Sequence, residues 1–165
     1  MGKKLDINSF VEALNKECKK LHREYQINSG GCCWVSYILM RRFEKLGIKV
    51  WLCIDSECGY LDTDEFEYDL KNRNINSNAT GLGENVCSHY FVQLPEIGPI
   101  NPDISEDWLI YKAVNSKDVK WIYDTGHWNH TFQLNNRAIV GRRIKAIFDK
   151  YELLLQEWRD SWRKQ

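Results

Sequence analysis

The sequence predicts a small α+β domain in which a helix opened by cysteine packs on an antiparallel sheet. Three observations carry that prediction. Apolar residues recur at helical spacing near both ends of the chain, two apolar runs in the middle have strand character, and a Gly-Gly-Cys-Cys turn leads into a further helical stretch between them. With 165 residues, 43% hydrophobic and 28% charged, and only 3 Pro, the composition fits one compact domain and disfavours collagen-like, disordered or multi-domain readings.

The first element is expected from about Ile7 to Tyr25, where Phe10, Val11, Leu14, Cys18 and Leu21 form one apolar stripe and Asn8 or Ser9 can begin the helix. Asn28, Ser29, Gly30 and Gly31 then break the pattern. A second helix runs from near Cys33 to Leu46, with Gly47 as its stop. Ile48 to Ile54 follows as a buried or half-buried strand.

From Asp55 to Asp69 there are seven acidic residues and no Lys or Arg, and an asparagine-rich stretch follows, so this region reads as a solvated excursion. A strand begins near His89 and ends at Pro95. Val119 to Tyr123 and His130 to Leu134 are expected as two more strands, and about Gly141 to Trp162 as one long closing helix. No internal repeat or second domain is apparent.

Charge excludes some function classes. The 23 Lys plus Arg balance 23 Asp plus Glu, so a surface built mainly for nucleic acid is not expected, although a zero total can hide local patches. No stretch reaches the roughly 20 apolar residues that cross a bilayer, and the first residues lack a signal-peptide apolar core. The expectation is a cytoplasmic chain with no membrane contact. Its six cysteines, Cys18, Cys32, Cys33, Cys53, Cys58 and Cys87, are then expected as reduced thiols.

The strongest chemical signal is Gly30-Gly31-Cys32-Cys33-Trp34, which puts a thiol where a tight turn enters a helix. Amides and aligned dipoles at a helix N-terminus favour a thiolate and can donate to an oxyanion. His89 supplies an imidazole on a later strand, and Asn101 and Asp103 supply an amide and a carboxylate able to fix its tautomer. These residues resemble the papain-like and transglutaminase-like cysteine enzymes, which place Gly-x-Cys-Trp at the amino end of a central helix and present His and Asp or Asn on successive strands. The resemblance extends roughly from Gln26 to Asp103.

By that resemblance Cys33, which precedes Trp34, is the nucleophile, and His89 is the general base and then the acid. Asn101 or Asp103 is the orienter. Gln26 is the oxyanion amide, although it stands seven residues before Cys33 where the family interval is six. Cys32 is a neighbouring thiol, a redox partner or an alternative nucleophile. The implied activity is a cysteine-dependent acyl hydrolase, with peptide or isopeptide hydrolysis through a thioester acyl-enzyme first. Acyl transfer of transglutaminase type and a non-catalytic protein-binding module of the same fold are the alternatives. The expected partner is a protein or peptide substrate, and no cofactor is expected.

Other groups compete for roles. His130 is a reserve base in the cluster with His127 and Trp128, while His22, inside the first helix, receives no role. Cys53, Cys58, Cys87 and His89 have a spacing that could close a zinc tetrahedron, but neither pair has the compact Cys-x2-Cys form. No phosphate-binding glycine loop with lysine and no dinucleotide fingerprint is present.

Overall fold

The computed structural model describes residues 6–28, 31–55, 68, 70–72, 89–102, 108–125 and 134–164. Helix α1 covers Ile7–Tyr25. Asp6 caps it, accepting from the Asn8 amide at 2.8 Å, so the cap lies two residues before the expected Asn8. The helix buries Ile7, Phe10, Val11, Leu14, Cys18 and Leu21, the expected stripe plus Ile7. Gln26 ends it in the left-handed conformation, φ 54°, where its N–H donates to the His22 carbonyl.

Helix α2 covers Cys32–Lys45 and buries Cys32, Cys33, Val35, Ser36, Leu39, Met40 and Phe43. It ends at Gly47, whose φ of 72° suits a residue without Cβ. A Cβ added there would lie 2.8 Å from the Arg163 guanidinium. Arg159 donates to the Leu46 carbonyl at 2.7 Å, so cations from the last helix meet the negative end of α2.

The sheet contains β1 (Trp51–Asp55), β2 (Tyr90–Leu94), β3 (Gly98–Ile100) and β4 (Trp108–Tyr111), in the order β3-β2-β1-β4 with every pair antiparallel. Leu52 pairs with Val92 and Tyr111, and Ile54 pairs with Tyr90. Strand alternation puts these side chains on one face, where they join the apolar residues of α1 and α2 in a single cluster. His89 and Phe91, two apart, share the other parity.

Val119–Tyr123 is not a strand: it lies within a helix, α3, over Ser116–Thr125. The buried residues Val119, Ile122 and Tyr123 have i, i+3, i+4 spacing, and this period prevails over the β-branched and aromatic composition. A capping box starts α3. The Asn115 side chain accepts from the Asp118 amide at 3.0 Å and the Asp118 side chain accepts from the Asn115 amide at 3.2 Å. Glu44 of α2 also accepts from the amide and the hydroxyl of Ser116, tying α3 to α2.

Leu134, the one described residue of the expected His130–Leu134 strand, begins a 3₁₀ turn over Leu134–Asn136. The expected single closing helix is two, α4 (Arg137–Lys150) and α5 (Glu152–Arg163). They part at Tyr151, φ −106° and ψ 14°, and Leu155 beyond it also reaches the core. Phe10, Phe43 and Phe148 interlock edge to face, with centroids 4.9 to 5.9 Å apart, and join α1, α2 and α4. Arg143 of α4 holds both Glu17 and Glu24 of α1. No helix among the described residues is long and apolar enough to cross a membrane.

Candidate active site at the amino end of α2

Gly31 precedes α2 without a side-chain cap, and the Val35 amide, bonded to the Gly31 carbonyl at 2.9 Å, makes the first intrahelical bond. Cys32 and Cys33 are therefore the first two helical residues, whose amides have no acceptor within the helix. Consecutive side chains on a helix point about 100° apart. That rotation sends the two thiols to different neighbours. Cys32 Sγ accepts the backbone N–H of Tyr90, at the start of β2, at 3.4 Å. Cys33 Sγ donates to the Val119 carbonyl of α3 at 3.7 Å.

Cys33 has no exposed surface. Its acidity is suppressed well below that of an ordinary thiol, first by burial and then by the negative charge that Cys32 or Asp124 would carry nearby. Cys32 is 3% exposed, and Ser36, one turn on, donates to its carbonyl at 2.9 Å.

His89 immediately precedes Tyr90 and is 4% exposed, its ring stacked on Phe91 at 5.7 Å. Its Nε2 lies 2.7 Å from the backbone carbonyl of Asn101. A carbonyl only accepts, so Nε2 carries a proton in this contact. The group that orients His89 through Nε2 is thus the main chain of Asn101.

Asn101 adopts φ 61°, a left-handed conformation that asparagine tolerates better than most residues, and three other polar residues brace it. Its amide donates to Asn15 Oδ1 at 2.7 Å. Its side chain exchanges two hydrogen bonds with the Asn28 side chain, at 3.1 and 2.9 Å. The Asn28 amide donates to His22 Nδ1 at 3.1 Å. His22 thus belongs to the support behind His89. The only sequence signal for it was a polar residue near the end of α1, one position after the buried Leu21.

Gln26 is exposed at the end of α1, six residues before Cys32. Asp103, Cys58, Cys87, His127, Trp128 and His130 lie outside the described residues. Cys53 is buried in β1 with its thiol 4.0 Å from Gln93 Oε1, and no group of three metal-ligating side chains occurs among the described residues. Cys18, Cys32, Cys33 and Cys53 are free thiols. Comparison of the chain with protein-family models, curated proteins and solved structures finds no match.

Proposed function

We propose that the chain is a cysteine-dependent acyl hydrolase acting on peptide or isopeptide bonds, with Cys32 rather than Cys33 as its nucleophile. The observation that carries this reading is the contact of Cys32 Sγ with the Tyr90 amide, one residue from an imidazole held by the Asn101 carbonyl. Cys33, turned toward α3, has its sulfur against the Val119 carbonyl instead. With Cys32 as nucleophile, Gln26 stands six residues before it, the interval the papain-like family uses, while the Cys-Trp match of Cys33 and Trp34 is given up.

In this reaction His89, whose ring stacks on Phe91 at the parity opposite to the α2 cluster, has to turn Nδ1 toward Cys32 to take its proton, and the thiolate sulfur bonds to the acyl carbon. The Cys32 amide and the Gln26 side chain donate to the oxyanion. As the C–N bond breaks, His89 returns the proton to the departing amine. His89 then deprotonates a water, which displaces the sulfur and releases the carboxylic acid. With Cys32 3% and His89 4% exposed, an incoming carbonyl has to displace whatever covers them.

The test is the alkylation rate of each cysteine against pH, read by peptide mass spectrometry in the unaltered protein, Cys32→Ser and His89→Ala. Labelling should concentrate at Cys32 and slow by about 100-fold or more without His89, the lower end of what general base catalysis supplies. Labelling led by Cys33 would sink the choice of Cys32 and return the nucleophile to Cys33, and labelling unchanged in His89→Ala would sink the hydrolase and favour a binding module.

A further inference from the structure

Behind the Asn101 support lies a groove of about 530 Å³ whose lining includes Lys16, Lys19, Lys20, Arg23, Asn28 and Asn101. The four cations stand at i, i+3, i+4 and i+7 of α1, which places them along one helix face over about 10 Å. None takes part in an ion pair or hydrogen bond among the described residues. Among the described residues no carboxylate lines the groove. The acidic residues of α1 are directed elsewhere: Glu17 and Glu24 both pair with the single guanidinium of Arg143 of α4, and Glu12 is outside the lining. A chain of zero net charge thus concentrates positive potential in one concave strip.

That strip shares Asn28 and Asn101 with the support of His89, and α1 leads from it through Gln26 toward Cys32. We propose that the groove binds an acidic peptide segment, and that substrates of the site carry carboxylate side chains on this side of the bond that is cut. An extended peptide covers about 10 Å in three residues, so two or three carboxylates can meet the four cations. Among the described residues no Phe, Tyr or Trp lines the groove, which leaves single-stranded nucleic acid without the stacking platform it ordinarily uses. Calling the peptide a substrate rests on the hydrolase reading, whereas its binding does not.

The experiment measures fluorescence anisotropy of a labelled eight-residue peptide with three alternating glutamates, titrated with the full chain carrying Cys32→Ser so that no turnover intervenes. Controls are the same peptide with glutamines and a single-stranded RNA of equal charge. The glutamate peptide should bind at least tenfold more tightly than the glutamine peptide. Binding should weaken between 50 and 300 mM NaCl, as expected for exposed charges. It should also fall at least tenfold in the Lys19→Glu, Arg23→Glu double variant and less in Lys19→Gln, Arg23→Gln, with circular dichroism checking that each variant is folded.

Absent or equal binding of the two peptides, indifference to both charge variants, or tighter binding of the RNA overturns the proposal. Loss of peptide binding with rapid His89-dependent labelling of Cys32 would remove the groove and leave the hydrolase. Retained binding without such labelling would do the reverse.

Discussion

Cys32 and Cys33 are adjacent in sequence and both buried, yet they belong to different parts of the molecule. One sulfur meets the sheet beside His89, and the other meets α3. The cause is helical phase: one residue along α2 turns the side chain from β2 to the neighbouring helix. The comparison teaches that a motif can locate a turn bearing two thiols without fixing which neighbour each sulfur meets. Tryptophan after cysteine favours Cys33, but the packing of α2 between β2 and α3 orients the sulfurs.

The comparison breaks most visibly under exchange of the two thiols. Under the hydrolase reading Cys32→Ala should abolish turnover, a loss on the order of 10⁶-fold as for other nucleophile deletions. Cys33→Ala should retain turnover to within a few fold while losing about 1–2 kcal/mol of stability from the emptied space. Steady-state kinetics with urea unfolding reads both, and the opposite pattern returns the nucleophile to Cys33.

Asn28→Ala should produce a smaller effect, sharpening the His89 side of the comparison. It leaves the Asn101 side chain without its two-bond partner and loosens the carbonyl that orients the imidazole. Labelling of Cys32 should slow about tenfold through misplacement of the base. Stability should fall by about 1–3 kcal/mol, the cost of an unsatisfied buried group. Stability lost with labelling unchanged would mean the amide pair serves the fold alone.

The smallest effect is expected at alkaline pH. Burial pushes the Cys18 and Cys53 thiols up to about 12 and raises Cys33 as well, so the folded chain keeps protons that the unfolded chain releases from about pH 9. Their stabilising contribution is full below pH 9 and is lost as pH rises through the folded values. Each group removes about 1.4 kcal/mol per pH unit within its window. Urea unfolding at pH 8, 9 and 10 should show a shallower decline in Cys33→Ala than in the unaltered chain. Parallel declines would mean that Cys33 ionises as readily folded as unfolded.

Much of the architecture was legible because its periods are simple. The α1 stripe, the glycine after α2 and the alternation around β2 each follow from local residues. The Val119–Tyr123 segment misled because Val, Trp, Ile and Tyr favour strands, although Asn115 and Asp118 form a helix-start pattern just before it. The break at Tyr151 was hidden because the apolar stripe continues through it, with no proline or glycine to mark it.

In the candidate site, His89 and the Gly-Gly-Cys-Cys turn were visible as chemistry-bearing residues at element boundaries. The use of the Asn101 carbonyl was not, because any residue supplies a carbonyl and only the backbone path aims it. His22 was out of reach for a related reason: its link to Asn101 runs through Asn28, which lies 73 residues from Asn101 in the sequence.

Pro99 has a consequence for the behaviour of the chain in concentrated solution. Among the described residues the sheet ends at β3 on one side and β4 on the other, strands of three and four residues. A border strand normally offers a ladder of unpaired amides and carbonyls to another molecule. In β3 the central residue has no N–H to offer, and its carbonyl already accepts from Asn15 at 3.0 Å. The asparagine that steadies Asn101 therefore also closes this border against strand-to-strand aggregation.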